Sequence, residues 1–199
     1  KLKWFPYNKG GTFRKWYGNI ELVINWGNNG HELKSWKKRK LEKGEITANN
    51  SKCWNETSYG KKGITWTDVT SGTNAFRILE EGVISDICAP FAPSDTPKKD
   101  LIFLNSKFNI DLTKLFNPSV HFTAGDYNNL PYYKVNEDSI NLINSVLEIS
   151  KEEWNSKENS FDFKEINLIT HKSQDIVEAY DLYQQYWKNK FFQLHKNEE

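Results

Sequence analysis

The sequence predicts an α+β fold: a small mixed or antiparallel sheet with flanking helices, followed by a helical C-terminal arm. Short apolar runs separated by glycine and asparagine in the first half are typical of short strands. From about residue 139, apolar residues recur every three or four positions, which is the period of helices packed on one side. We therefore divide the chain into one domain at residues 1–135 and a helical spacer or docking arm at residues 136–199.

Four short strands are predicted before residue 90. Each is a run of β-branched or aromatic residues between turn-forming residues. Two of the runs flank the turn Ser71-Gly72-Thr73, while the polar segment 48–62 indicates a loop or a pair of edge strands. The predicted strands cover residues 20–24, 64–67, 76–79 and 83–87.

Helices are predicted in the middle and at the end of the chain. The basic segment 35–44 is helical at best, whereas Pro97 opens a helix with Asp100 in its first turn, and a short helix follows at 110–116. Asp175, with Glu178 three residues later, has the spacing of a helix cap. Two stripes indicate packing faces: Ile140, Ile143, Val146 and Leu147, and then Ile176, Tyr180, Tyr183, Trp187, Phe191 and Leu194.

The small net charge of +1 conceals two halves of opposite sign. Residues 1–66 contain fourteen lysines and arginines, five glutamates and no aspartate, so this stretch carries +9 and the remainder −8. Aromatic residues make up 15% of the chain and can stack on bases as well as pack. An anionic partner is therefore expected on the N-terminal stretch.

The motifs of catalysis are missing from the sequence. An adenine methyltransferase needs an Asn/Asp-Pro-Pro-Tyr/Phe loop for the flipped base, and the nearest text, 117–120, lacks the second proline and the ring. A glycine-rich cofactor turn and a GxSxG elbow are also missing. For a metal-dependent nuclease, Glu32-Leu33-Lys34 lacks the preceding aspartate, because the first one is Asp68. We expect no catalytic residue in this chain.

Metal sites, a disulfide framework and membrane insertion are not indicated. The four histidines are scattered, and Cys53 and Cys88 form no CxxC pair, so two free thiols are expected. No apolar run approaches the roughly 18 to 20 residues that span a bilayer. A cytoplasmic location is the simplest inference. The chain begins at Lys1 without methionine, and we interpret it as a segment of a longer protein.

The remaining feature is a basic and aromatic N-terminal stretch that suits duplex DNA. Its cations would neutralise phosphates with a steep salt dependence, and its rings would stack or wedge between bases. The alternatives are that 35–40 (SWKKRK) is a solvated face and that the tryptophans pack in the core. The proposed phosphate contacts are Lys9, Arg14, Lys15, Lys37, Lys38, Arg39 and Lys40, and the proposed stacking rings are Trp16, Tyr17, Trp36 and Trp66.

Residues 3–30, KWFPYNKGGTFRKWYGNIELVINWGNNG, closely resemble a segment of the adenine-specific DNA methyltransferases of BREX phage-defence systems. They are similar, more loosely, to restriction-modification enzymes that fuse methylase and specificity regions. The texts 62–78, 101–135, 150–163 and 192–199 resemble later segments of the family in the same order, and 101–135 is also similar to type I restriction specificity subunits.

The resemblance implies the DNA target-recognition region of an enzyme that methylates adenine N6 with S-adenosylmethionine. It implies no cofactor in this segment, and as partners double-stranded DNA, the methylase domain of the same parent chain and other subunits of a defence complex. The segments 71–72 and 121–126, like the Gly-Gly turn and its neighbours, match sequence that recurs in the family. From these segments and strands, Ser71, Arg77, His121 and Thr123 join the candidate DNA contacts.

Two other functions stay open from the sequence. The region could be a protein-interaction module that docks other defence-complex subunits or a phage inhibitor through exposed tryptophan and tyrosine. An active enzyme is the third possibility, which the missing motifs disfavour for this segment although not for its parent.

Overall fold

The computed structural model describes residues 2–131, 135–136 and 139–199, and it confirms the α+β class. The described strands all lie between Trp4 and Pro93, and the described helices lie between Gly27 and Glu198. The strands are β1 (Trp4–Asn8), β2 (Leu22–Asn25), β3 (Gly63–Thr65), β4 (Arg77–Leu79), β5 (Ile84–Ser85) and β6 (Phe91–Pro93). The helices are α1 (Gly27–Glu42), α2 (Ala48–Ser51), α3 (Pro97–Leu104), α4 (Lys107–Phe116), α5 (Ala124–Asn128), α6 (Ser139–Asn155) and α7 (Ile176–Glu198).

The strands form two three-stranded sheets rather than the single sheet that the sequence predicts. One has the order β2-β1-β5, with β1 antiparallel to β2 and parallel to β5, and the other has the antiparallel order β4-β3-β6. Pro6 lies in the central strand β1 opposite Val23 of β2, and β5 pairs only with Tyr7 and Asn8, so the side of β1 at Pro6 that faces β5 has no strand partner.

The four predicted strands and the helix starting at Pro97 are found, with shorter or shifted bounds. Residues 48–62 contain α2 and a 3-10 turn (Glu56–Ser58) and no described strand, so the edge-strand alternative for this segment is wrong. Strands β1 and β6 were not predicted, because proline lies within β1 and at the end of β6. Within the residues that the structure describes, no helix has the length and apolar character to cross a membrane.

One hydrophobic core joins the second sheet to helices on both sides of residue 136. Trp66 and Phe76 contact Leu101 of α3, and Ile143, Val146 and Leu147 of α6 are buried in the same cluster. The predicted stripe of α6 is therefore a packing face. The division at residues 135 and 136 stays a prediction, and α6 packs as part of the core.

Helix α7 packs against α6 but leaves much of its apolar surface in solvent. Asp175 caps it by accepting a hydrogen bond from the Val177 N–H, 3.1 Å away. Trp187 is buried, whereas the side chains of Ile176 and Phe192 are 78% and 71% exposed. The predicted packing stripe is thus only partly covered by the described residues.

Candidate nucleic-acid interface

Four of the predicted DNA contacts lie in the interior. Trp16, Tyr17, Trp66 and Arg77 are all less than 8% exposed. The Trp66 indole donates a hydrogen bond to the Phe122 carbonyl at 2.6 Å, and its ring is stacked on another aromatic ring of the core. The prediction that these four residues contact DNA is therefore replaced by a structural role, because side chains enclosed by the core cannot reach a duplex.

Arg77 is a buried cation without a carboxylate partner among the described residues. Its guanidinium donates to the Arg14 carbonyl and to the Thr67 hydroxyl, each at 3.2 Å, and its Nε has no acceptor. Burial, together with the nearby charge of Arg14, lowers the pKa of Arg77 to about 10. Arg77 therefore links β4 to the loop that contains Arg14 and to the loop after β3.

Arg14 and Lys15 are held by acidic residues of the C-terminal helices. Arg14 forms an ion pair with Glu153 of α6, and only a fifth of its side chain is exposed. Lys15 lies 3.8 Å from the Glu198 carboxylate of α7, which also accepts a hydrogen bond from the Trp16 indole. These carboxylates largely neutralise Arg14 and Lys15, which disfavours both residues as phosphate contacts.

Three segments that the family resemblance indicates, the Gly-Gly turn, 71–72 and 121–126, belong to loops that contact one another. The Thr67 hydroxyl donates to the Gly11 carbonyl at 3.3 Å, which joins the Gly-Gly turn to the loop after β3. The Asp68 carboxylate lies 3.2 Å from Nδ1 of His121, and the Asp68 carbonyl accepts a hydrogen bond from the Phe122 N–H at 2.8 Å. We call residues 9–13, 67–73 and 119–123 the loop cluster.

The exposed predicted residues of the loop cluster differ in role. Lys9 and Ser71 are exposed, and His121 is exposed but engaged with Asp68. Thr123 caps α5 in a capping box with Asp126. Desolvation opposes the ionisation of Asp126, but hydrogen bonds from Thr123 outweigh it and hold the pKa of Asp126 below its usual value. Thr123 therefore has a local structural task.

Helix α1 begins at the other end of β1 from the Gly-Gly turn. Gly27 donates to the Lys3 carbonyl at 3.0 Å, beside the start of β1, whereas Gly10 follows the end of that strand. Five residues of strand separate the two ends by roughly 17 Å. The Gly-Gly turn and the start of α1 are therefore separated by the length of β1.

Helix α1 presents a cationic and aromatic face to solvent. The spacing of three and four residues places Trp36, Arg39, Lys40 and Lys43 on one side, which we call the α1 face. Trp36 is 46% exposed, and the Lys40 ammonium lies 5.8 Å from its ring centroid while pairing with Glu45. Arg39 and Lys43 are exposed and have no ion pair with any described residue.

The other predicted cations of α1 flank this face. The Lys37 ammonium donates to the Lys52 carbonyl at 2.9 Å, and Lys38 lies 4.0 Å from Glu42 while remaining 78% exposed. Lys52 in turn lies 4.9 Å from the ring centroid of Trp54, which is exposed. Sequence reasoning missed Lys43, Lys52 and Trp54, although the lysine-tryptophan spacing at 52–54 repeats that at 34–36.

The described residues offer little for small ligands. They contain no group of three histidine, cysteine or acidic side chains placed to hold a metal ion. A groove of about 610 Å³ runs between α6 and α7, beside Tyr183 and Trp187, and it is open to solvent. The Gly10-Gly11 turn follows a strand but leads through a loop into β2 and not into a helix, so it lacks the geometry of a nucleotide-binding turn.

Comparison with known proteins identifies relatives over nearly the whole chain. It is 36% identical over 205 aligned positions to the adenine-specific methyltransferase PglX of Lacticaseibacillus casei (strain Zhang), which covers 98% of this chain. It is 34% identical over 175 positions to the adenine-specific methyltransferase BrxX of Escherichia coli O9:H4 (strain HS), which covers 85%. No family model matches the chain.

The chain spans only 17% and 13% of the lengths of these two relatives. The match nevertheless confirms the resemblance to adenine-specific methyltransferases that the sequence indicates.

Proposed function

Because this chain is a homologue of one segment of the adenine-specific methyltransferases, we propose that it contacts and recognises duplex DNA for such an enzyme. The parent would methylate adenine N6 at a short sequence in a phage-defence or restriction system. This chain would choose the site, and the methylase domain of the same polypeptide would perform the transfer.

The observation that carries the proposal is the α1 face. Exposed cations that lack carboxylate partners can neutralise phosphates without first breaking an ion pair, and Arg39 and Lys43 meet this condition. Trp36 adds a flat ring at the same surface, where it can stack on a base or lie along the sugar backbone. Lys37 and Lys38 extend the positive charge around the helix.

Phosphate contacts fix a protein on the duplex, whereas base contacts select the sequence. We assign the first task to Arg39 and Lys43. An α-helix fits the major groove of DNA, so we propose that polar residues of α1 beyond Gly30 read base edges. Each correct contact would contribute about 1–3 kcal/mol of discrimination per base pair.

In this proposal, none of the described residues is assigned to S-adenosylmethionine, the methyl donor that the homology implies. The Gly10-Gly11 turn leads into β2 and not into a helix, and the groove between α6 and α7 is open to solvent and lined mainly by tyrosine, tryptophan and charged side chains. The cofactor therefore belongs to another part of the parent enzyme in this proposal.

The experiment is a salt series of duplex DNA binding by the chain and by the Arg39→Ala/Lys43→Ala variant. We expect the slope of log K against log salt to fall by about 1 to 2 in magnitude for this variant. The matched control is Lys107→Ala/Lys114→Ala, which removes the same charge from α4. Equal slopes in the two double variants, or no binding by the chain at low salt, would overturn the proposal.

A second function, docking to another protein surface, is favoured by the exposed apolar side chains of α4, Phe108 and Leu115.

A further inference from the structure

Helix α4 has its polar and apolar sides reversed relative to a surface helix. Asn109 and Thr113, four residues apart on one side, are buried, whereas Phe108 and Leu115 on the other side are 63% and 77% exposed. A surface helix of a water-soluble domain normally turns its apolar stripe inward. The outward side of α4 therefore resembles the buried side of a helix that has a neighbour.

Hydrogen bonds hold the reversed orientation in place. The Asn109 amide donates to the Leu104 carbonyl at 2.8 Å, at the end of α3, and the Thr113 hydroxyl donates to the Ile110 carbonyl at 2.8 Å. Ser106 caps α4 by accepting from the Asn109 N–H at 3.2 Å. Rotation of the helix to bury its rings would break the bond from Asn109 to α3, so the exposed apolar side is a built feature of this fold.

The apolar surface continues beyond the helix. Phe116, at the end of α4, is 62% exposed, and Val120, four residues later, is 51% exposed. The Asn117 amide donates to the His121 carbonyl at 2.6 Å and holds this turn against the helix end. We call Phe108, Leu115, Phe116 and Val120 the α4 patch. Exposed apolar side chains grouped on one part of a surface are typical of interaction sites.

The α4 patch does not have the charge of a nucleic-acid surface. Lys114 lies 3.8 Å from Asp111, which leaves Lys107 as the one cation of α4 without an acidic partner among the described residues. Apolar rings with balanced charge suit a protein surface of the same character. The α1 face and the α4 patch therefore differ in the chemistry of the partner that each can bind.

We propose that the α4 patch docks onto another domain of the longer methyltransferase polypeptide. The relatives extend far beyond the aligned segment, since it makes up 17% and 13% of their lengths. A neighbouring domain in the same polypeptide is present at a high effective concentration, so a modest apolar patch is enough to hold it. This docking surface would fix the recognition segment relative to the domain that carries out the methyl transfer.

The first test compares amide hydrogen exchange in the 199-residue chain alone and in the longer polypeptide that carries it. We expect exchange across residues 107–116 to slow by about tenfold or more in the longer polypeptide. Residues 31–42 of α1 serve as the internal control and should change little without DNA. Equal exchange of α4 in the two proteins would overturn the proposal, as would the occurrence of the chain in cells only at its 199-residue length.

The second test uses the variant Leu115→Ser/Phe116→Ser and, as a control, Phe192→Ser, which alters an equally exposed ring on α7. In the 199-residue chain, both should leave the Tm within about 2 °C, because the altered side chains are already in solvent. In the longer polypeptide, we expect only the α4 variant to lose the slowed exchange and to release the segment faster under limited proteolysis.

Other results of the second test count against the proposal. If the 199-residue chain dimerises through α4 and exchange in the longer polypeptide stays fast, a second copy is the partner and the proposal is overturned. Equal effects of the control and the α4 variant would also overturn it. DNA affinity is measured separately through Arg39 and Lys43, so failure of docking and failure of DNA recognition are distinguishable.

Discussion

The guanidinium of Arg14 lies 4.8 Å from the ring centroid of Trp154 and covers it while pairing with the neighbouring carboxylate of Glu153. The loop after the Gly-Gly turn is thereby fastened to α6, 139 residues later in the chain. An arginine that the sequence suggested for DNA contact thus joins the N-terminal segment to the C-terminal helices.

Replacing Arg14 with alanine should reduce stability and leave the salt dependence of DNA binding unchanged. The loss of the cation-ring contact and of the partly buried ion pair should cost about 1–3 kcal/mol of unfolding free energy. Denaturant unfolding of Arg14→Ala, Glu153→Gln and the double variant measures the coupling between the two residues. A DNA-binding slope reduced as much as that of Arg39→Ala would instead restore Arg14 as a phosphate contact.

Stability should decline in acid partly through Glu153. Burial raises the pKa of this carboxyl, but hydrogen bonds and charge from Arg14 and Lys157 outweigh burial and hold the pKa below 4.5. A carboxyl whose pKa is lower in the folded state than in the unfolded state contributes its full stabilisation above the unfolded-state pKa. This stabilisation is lost as the pH falls through the folded-state pKa. Unfolding free energies between pH 6 and about 3 should therefore fall more steeply in the wild type than in Glu153→Gln. Parallel pH profiles would contradict this assignment.

Gly18→Ala should destabilise the chain strongly. Gly18 has φ of +121°, and a Cβ there would overlap the Arg14 side chain and lie 2.7 Å from the Trp154 ring. Strain and overlap together should cost about 2–4 kcal/mol. Gly72→Ala is the control, since its Cβ would meet nothing nearer than 3.9 Å. Thermal unfolding of the two variants checks the prediction, which fails if their Tm values agree.

Asn105→Ala should be among the more damaging polar substitutions. The buried Asn105 amide accepts from the Phe76 N–H at 3.0 Å and donates to the Phe76 carbonyl at 2.9 Å, joining α3 to the start of β4. Alanine would leave the Phe76 N–H without its acceptor, while the Phe76 carbonyl would keep the hydrogen bond from the Trp16 N–H, so the loss should be about 1–3 kcal/mol. The exposed Asn141 of α6 provides the matched control. A loss below about 0.5 kcal/mol, as expected for Asn141→Ala, would show that water replaces the amide.

The sequence predicts the elements better than their assembly. Helix α3 was predicted from Pro97 and Asp100, and β3 and β4 from the runs around the turn, because such signals are local. The pairing of β1 with β5, 77 residues apart, depends on tertiary contacts that no local pattern encodes. Two small sheets therefore formed where one was expected.

The candidate DNA contacts show the same limit. The charge of residues 1–66 correctly identified a basic segment, and α1 presents it to solvent. Composition could not separate Arg39, which forms no ion pair with any residue that the structure describes, from Arg14, whose partner Glu153 is distant in sequence. Nor could it distinguish exposed Trp36 from buried Trp66, because both lie among polar neighbours in the sequence.

Helix α1 contributes a single residue, Gly30, to the interior of the protein. Substitutions on its outer side therefore leave the core untouched, and surface changes of this kind usually alter stability by less than about 0.5 kcal/mol. Under the proposed function, point mutations on this side would change the contacts with DNA while the scaffold stays intact.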